Sequence, residues 1–348
     1  MDMGELIIKL VYNIAIMFAM MAPGFILKKC RLTPEGFGKG LSNLVLYVAQ
    51  PVLVFLAYVR PYDSSLLLNM LYVLIFSVVA HFIFAFVAVK LFGKAPENRR
   101  RMLRFATVFA NAAFMGIPLI GAVLGPVAMI YASIYNITFN LFLWSFGVFL
   151  CTTGRDEDGD GDIDTESERR ANHPLTSTMK KAVFHPVTIA AVIGLFFFFL
   201  PIDRFVTGEG FAPETLGAYI TGFISESLTT LKNLVIPLSM SVIGLRLADI
   251  NFRGLFKDKD MYIFLALRHL ALPAIVYAVM RLISLTGIGI TSDVILVVLI
   301  MACAPAASSA TMFAEKYDCD AAYVSKLVAV STILSIATMP LVILLTYL

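Results

Sequence analysis

Two segments interrupt apolar stretches of this chain with residues that can bind a ligand. They read NAAFMGIP at 111–118 and ACAPAASSATMF at 302–313, and they place proline beside small, amide and hydroxyl side chains. Proline cannot donate to the helical ladder, and a helix broken within a bilayer is tolerated only where its freed backbone groups line a cavity or are buried in protein. Breaks at corresponding positions of two chain halves are typical of transporter binding sites. We therefore expect a binding site where these two segments meet.

The backbone freed at these breaks predicts the charge of the ligand. Gly116 precedes Pro118, so a half-helix is expected to restart near Pro118, and a second can restart after Pro305. The N-terminal N–H groups of each half-helix carry about half a positive elementary charge. Because the two segments cross the membrane in opposite directions, both N-termini can face one central point. Such a point favours an anion, and a carboxylate first.

Polar side chains within the breaks are candidates for the ligand contacts. Asn111 offers a donor for a carboxylate oxygen and an acceptor for a freed N–H group. The alternative is that Asn111 only ties spans together by hydrogen bonding across helices. Ser308, Ser309 and Thr311 are further candidates in the second break.

Composition shows that the elements carrying these breaks belong to a membrane protein. Hydrophobic residues make up 59% of the 348 residues, charged residues only 15%, and the mean hydropathy is +0.85. These values lie far outside the range of soluble globular proteins. Apolar runs near the ~20 residues needed to cross a bilayer lie at 5–27, 40–59, 66–92, 102–123, 127–150, 184–201, 217–247, 261–285, 292–313 and 322–347. The sequence therefore predicts an all-α polytopic protein with ten spans.

The distribution of Lys and Arg predicts the orientation of these spans, because basic loops stay on the cytoplasmic side. With the N-terminus outside, 21 of the 27 basic residues fall at cytoplasmic connections. The first segment opens with Asp2 and Glu5 and lacks a basic region, so it is interpreted as the first span rather than a cleavable signal. We expect a multi-pass protein of the plasma membrane with both termini outside the cytoplasm.

The longest hydrophilic stretch divides the chain into two halves. Residues 1–150 form a first set of five spans, 151–182 a cytoplasmic linker of acidic and basic residues, and 183–348 a second set of five. An odd number of spans per half forces the second half to insert upside down relative to the first. The expected fold is therefore two inverted five-helix repeats, with the fourth and ninth spans broken and crossing.

Several motifs resemble the auxin efflux carrier family, whose members include the plant PIN transporters and bacterial proteins described as malonate or malate permeases. The motifs are NAAFMGIPL in span four, HPVTIAAVIGL in span six, NLVIPLSMSVIGLRL in span seven and APAASSATMFAEKY in span nine. The resemblance covers nearly the whole chain. It implies the fold shared with bile acid, arsenite and riboflavin transporters, and an elevator-like movement of a transport domain against a scaffold.

The resemblance also implies roles for individual residues. It places a substrate-contacting Asn at Asn111, and it places Gln50, Pro51 and Pro237 in the scaffold-side or gating walls of the site. The alternative for Pro51 in span two and for Pro237 in span seven is a proline kink held by packing. Some family members carry Asn four residues after the proline of span nine, where this chain has Ser309, which suggests a smaller contact or a different substrate.

The linker contains the opening of a calcium-binding loop. Alternating acidic residues and a glycine are typical of an EF-hand, and they are found here as Asp156, Asp158, Asp160, Gly161 and Asp162. The bidentate Glu expected at the twelfth position is replaced by Ser167, so a solvated acidic linker is favoured over Ca²⁺ binding at 156–168.

The coupling ion is left open by the sequence. Ion-coupled pumps usually carry an ionisable residue inside the bundle, but no Asp or Glu lies in the middle of a predicted span. His81 is the one deep titratable candidate, although a lone His more often serves packing. Arg268 is expected near enough to the cytoplasm to extend its charge into water, and the alternative is that it attracts anions at the inner mouth. Both Na⁺ and H⁺ remain open as coupling ions, and no other cofactor is expected.

Together these features predict a secondary transporter of a small organic anion, such as a dicarboxylate or an auxin-like acid. The alternatives are an anion channel or a membrane receptor on the same scaffold, or a sodium-coupled symporter. No span carries a metal cluster, an activated nucleophile or paired carboxylates, so an enzyme is not expected. The expected partners are the anion and membrane lipid, with no nucleic acid, and a homodimer is left open.

Overall fold

A computed structural model describes residues 3–152, 183–200, 215–250 and 258–344. In these residues the chain forms helices, as the sequence predicts. In chain order they are α1 Ile7–Lys29, α2 Phe37–Tyr58, α3 Ser65–Lys90, α4 Glu97–Val108, α5 Ala112–Leu124, α6 Pro126–Thr152, α7 Pro186–Phe198, α8 Leu216–Ala248, α9 Lys259–Ser284, α10 Ser292–Cys303, α11 Ser309–Lys316 and α12 Ala321–Leu344.

Seven of the described helices are long and apolar enough to cross a membrane, namely α1, α2, α3, α6, α8, α9 and α12. The other three predicted spans are not single long helices. The predicted fourth span is divided into α4 and α5, the ninth into α10 and α11, and the sixth contains the shorter helix α7. A multi-pass membrane protein is therefore confirmed.

Proline shapes three of these helices in the same way. In each, a π-helical turn ends two residues before the proline: Val45–Ala49 before Pro51, Ala112–Gly116 before Pro118, and Leu267–Ala271 before Pro273. The proline ring lacks an N–H and displaces the carbonyl four residues earlier, so the turn widens and this carbonyl loses its helical partner. At Pro118 the displaced carbonyl belongs to Phe114, and the Ser239 hydroxyl of α8 donates to it at 3.3 Å.

Helices α1, α2, α7 and α8, which we call the four-helix group, pack closely through glycine. A Cβ on Gly24 of α1 would lie 2.0 Å from a carbonyl oxygen of α8, and a Cβ on Gly244 of α8 would lie 2.0 Å from the Met21 carbonyl oxygen of α1. Where α7 crosses α2, a Cβ on Gly194 would lie 2.7 Å from the Tyr58 ring. Small residues of this kind let membrane helices approach to backbone contact.

The remaining helices, α3–α6 and α9–α12, form a crossover group around α10. Every residue of α10 from Val294 to Cys303 is at most 8% exposed, and α10 packs against α3, α6, α9 and α12. A helix that is apolar on all sides belongs in the interior. The broken end of α10 therefore lies at the centre of the molecule.

Candidate functional site

The two broken helices meet at their interruptions. Helix α4 ends at Val108 and α10 ends at Cys303, and the extended segments that follow them pair in an antiparallel bridge. The backbone N–H of Asn111 donates to the Pro305 carbonyl at 2.7 Å, and the backbone N–H of Ala307 donates to the Phe109 carbonyl at 2.8 Å. Each break thus supplies partners for backbone groups that the other has freed, as burial in protein requires.

Helical structure resumes in the first break earlier than the sequence suggested. The expected restart was near Pro118, but π-helical turns begin at Ala112 and pass into α-helix at Ile117. Asn111 consequently lies at the N-terminal boundary of α5. In the second break α11 begins at Ser309, with Ser308 at its N-terminal boundary.

The side chain of Arg268 in α9 contacts the C-terminal ends of both α4 and α10. Its guanidinium donates to the Thr107 carbonyl of α4 at 3.1 Å and twice to the Ala304 carbonyl after α10, at 2.9 and 3.1 Å. The side chain is 0% exposed. The expectation that Arg268 reaches the aqueous phase is therefore wrong, because these carbonyls hold its charge inside the bundle.

This arrangement separates the charges at the crossing. The C-termini of α4 and α10 together carry about one negative elementary charge, which the guanidinium balances. The N-termini of α5 and α11 carry about one positive charge together, and Arg268, itself a cation bound to the C-terminal carbonyls, does not offset it. The field that remains at the two N-termini favours an anion.

Two buried polar atoms lie beside the N-terminus of α5. Asn111 is 3% exposed, and among the described residues its Nδ2 has no hydrogen-bond partner. Gln50 of α2 is 0% exposed and donates through Nε2 to the Ala113 carbonyl at 2.7 Å, whereas no described residue donates to its Oε1. Buried polar groups are normally paired, so a missing partner here points to a ligand or water.

The predicted glycine and prolines of the two breaks and of the four-helix group shape the backbone. Gly116 allows close packing, since a Cβ there would lie 2.5 Å from the Met301 sulfur of α10. Pro118 and Pro305 are buried, while Pro51 and Pro237 are half-buried in α2 and α8. The structure brings Asn111, Gln50, Gly116 and Pro305 to the crossing. Whether these residues, or Pro51, Pro118 and Pro237, touch substrate stays a prediction.

A cavity of about 1010 Å³ leads from the surface to the second break. Ser308 and Thr311 line it, whereas Ser309 does not. Its charged lining residues are Lys28, Lys39, Arg246, Asp249, Glu315, Lys316 and Lys326. Five cations thus face two carboxylates, and Arg246 donates a hydrogen bond to the Ser308 carbonyl. The cavity is therefore basic where it reaches the N-terminus of α11.

Two buried amides on α6 are further candidates for ligand contacts. Asn136 Oδ1 and Asn140 Nδ2 are buried without a hydrogen-bond partner in the described part of the chain. They share a helix face with Ser133, whose hydroxyl lies 2.6 Å from the Tyr58 hydroxyl of α2. Their helical spacing alone predicts a polar face on this span, which more often serves packing than a substrate pathway. The signal that distinguishes them is the lack of partners, which requires the tertiary structure.

The predicted calcium loop lies outside the described residues. Asp156, Asp158, Asp160 and Asp162 all belong to the range 153–182, so Ca²⁺ binding there stays a prediction.

Comparison with known proteins identifies relatives over nearly the whole chain. The profile of a family described as membrane transport protein matches residues 9–343. An uncharacterized transporter of Methanothermobacter thermautotrophicus is 24% identical over 321 residues, covering 91% of this chain and 92% of the relative. An uncharacterized transporter of Methanocaldococcus jannaschii is 22% identical over 335 residues, covering 94% of this chain and 96% of the relative.

Proposed function

This chain belongs to the membrane transport protein family, which is the auxin efflux carrier family predicted from its motifs, and from that premise we propose that it is a secondary transporter of a small organic anion. The substrate is a carboxylate, and it binds between the N-termini of α5 and α11. The transported acid reaches this site from the basic cavity.

The observation that carries the proposal is the division of charge at the crossing. Arg268 balances the two helix C-termini, so about one positive charge remains at the two N-termini. One carboxylate group balances that charge. Asn111 Nδ2 supplies a donor beside it, and the cations of the cavity lining supply partners for a second carboxylate if the substrate has one.

The packing of the helices supports an inverted repeat of ten spans. In such a repeat α1 corresponds to α7 and α2 to α8. The contact of α1 with α8 then corresponds to the contact of α7 with α2, and both are close glycine crossings. The crossover group moves as a unit against the four-helix group, and this movement alternates access to the site.

The proposed orientation follows from the basic residues. The cavity lining contains Lys28, Lys39 and Lys326, which lie near helix ends that the positive-inside rule assigns to the cytoplasm. The cavity then opens to the cytoplasm in this state, and both termini lie outside, in the plasma membrane.

A thermal-shift screen followed by flux measurements tests the function. Purified protein is screened against monocarboxylates, dicarboxylates, indole acids and bile acids, because a ligand that binds only the folded state raises the unfolding temperature. Acids that stabilise the protein are then loaded into proteoliposomes. A carrier shows saturable uptake that is accelerated by unlabelled acid on the opposite side.

Three results would contradict the proposal. Uptake that does not saturate and is not accelerated by counter-substrate indicates a channel. Binding without any flux in sealed proteoliposomes indicates a receptor. If Asn111→Ala leaves affinity and flux unchanged, the site does not lie at the crossing. The matched control is Asn233→Ala, at an exposed position of α8.

A further inference from the structure

We propose that Arg268 is a resident cation of the crossing, which occupies the place of a coupling metal ion so that the site takes up its anion without sodium. The inference rests on the proposed function, since it concerns how the same site is charged. It selects among the coupling mechanisms that the sequence left open.

The carbonyl groups that bind Arg268 are of the type that forms sodium sites. In transporters with broken helices, unwound backbone carbonyls and the C-terminal ends of half-helices coordinate Na⁺. Here the Thr107 and Ala304 carbonyls have these positions, and three guanidinium N–H groups contact them at 2.9–3.1 Å. A sodium ion would have to displace the guanidinium to reach the same oxygens.

Among the residues that the structure describes, no carboxylate pairs with the charge of Arg268. Within the described residues, none of the ion pairs within 4.0 Å includes Arg268. An unpaired charge inside a membrane protein is costly unless dipoles or counter-charges stabilise it. The two helix C-termini supply about one negative charge, and the Phe84 ring lies 5.3 Å from the guanidinium carbon in cation–π contact.

The neighbouring residue anchors the same region. The Nε2 of His269 lies 2.8 Å from the Ser331 hydroxyl of α12, and that hydroxyl accepts a hydrogen bond from the backbone N–H of Ala306 at 2.9 Å. Residues 268 and 269 of α9 therefore hold the second break at Ala304 and, through Ser331, at Ala306. Because Arg268 is held by this network and buried completely, it behaves as a fixed part of the site rather than an exchangeable ion.

The decisive measurement needs no transported acid. The unfolding temperature of the purified wild-type protein is compared in sodium chloride and choline chloride at equal ionic strength. We expect no sodium-specific rise, because Arg268 already occupies the carbonyl site. A sodium-specific rise in the wild type would overturn the proposal, whichever variants can be purified.

Substitutions test whether the site accepts a replacement cation. Arg268→Ala should lower the unfolding temperature by roughly 5–10 °C, since it removes three charge-assisted hydrogen bonds. Millimolar guanidinium should raise the unfolding temperature of Arg268→Ala but not that of the wild type or of Arg281→Ala, an exposed control on the same helix. If guanidinium does not raise the unfolding temperature of folded Arg268→Ala, then Arg268 only links the helices and does not fill a cation site.

Arg268→Lys provides a second variant if Arg268→Ala does not fold. Lysine keeps the charge but loses the planar fork that contacts two carbonyls. We expect an unfolding temperature between those of wild type and Arg268→Ala, again without response to sodium. A sodium response in Arg268→Lys would show that the site selects sodium over a tethered cation. Failure of every acid in the flux assay would instead refute the proposed function and leave these cation results in place.

Discussion

Replacing Asn111 with alanine is expected to weaken substrate binding while leaving the unliganded protein about as stable as the wild type. Asn111 is 3% exposed and its Nδ2 has no partner in the described residues. Its side chain also makes no capping hydrogen bond to α5. The unliganded protein therefore loses no hydrogen bond of this nitrogen when the side chain is removed.

The expected loss of affinity follows from the energy of a hydrogen bond to a charged group. Such a bond contributes about 1.5–3 kcal/mol, which corresponds to a dissociation constant roughly 10–150-fold weaker. For the unliganded protein, removal of an unpaired buried donor relieves a desolvation cost of about 1–3 kcal/mol, and the void left by the side chain offsets it. The unfolding temperature should stay within about 3 °C of wild type.

Binding and stability are measured on the same preparations. The dissociation constant of an acid found in the screen is determined by calorimetry, and the unfolding temperature is recorded without ligand. Gln50→Ala is an informative comparison, because it also removes the 2.7 Å hydrogen bond to the Ala113 carbonyl and should lower both affinity and stability. Asn233→Ala, at an exposed position, should change neither.

The opposite pattern would refute the reasoning. If Asn111→Ala unfolds at a much lower temperature while the dissociation constant is unchanged, then Asn111 ties the spans together and does not contact substrate. That result would favour the structural interpretation stated from the sequence.

Two further predictions concern packing and the cavity. Gly244→Ala should abolish the monodisperse protein peak in size-exclusion chromatography, since its Cβ would lie 2.0 Å from the Met21 carbonyl oxygen; Gly222→Ala, with nothing within 4 Å, should be tolerated. Arg246→Gln should lower the initial rate of anion uptake and reduce its dependence on ionic strength, because a cavity cation that binds the Ser308 carbonyl is lost. Equal salt dependence in wild type and Arg246→Gln would show that this cation does not attract the substrate.

The positions of the long helices were predictable because bilayer thickness sets their length. The apolar run at 66–92 became α3 Ser65–Lys90, and the run at 127–150 became α6 Pro126–Thr152. Proline likewise indicated where two helices are interrupted, since its effect on the helical ladder is local. The start of α5 at Ala112 was not predictable from Pro118, because a π-helical turn precedes the proline.

The side-chain partners at the crossing were beyond sequence reasoning. Arg268 and Thr107 are 161 residues apart, and no local pattern indicates that one will bind the other. From the sequence, Arg268 was expected near water because its position could be judged only by its distance from the end of the predicted span. Burial of the guanidinium depends on two carbonyl ends that converge only when α4 and α10 cross.

What the sequence by itself determined is the membrane environment, the family and the location of two interrupted helices, because hydropathy and proline geometry act over a few residues. Only the tertiary structure decided which of the four half-helix ends have their charge compensated. Arg268 contacts the C-terminal carbonyls, and within the described part of the chain the Nδ2 of Asn111 has no partner at the N-terminus of α5. Electrostatic compensation depends on distances between groups remote in sequence, so the chain must fold before those charges can be assigned.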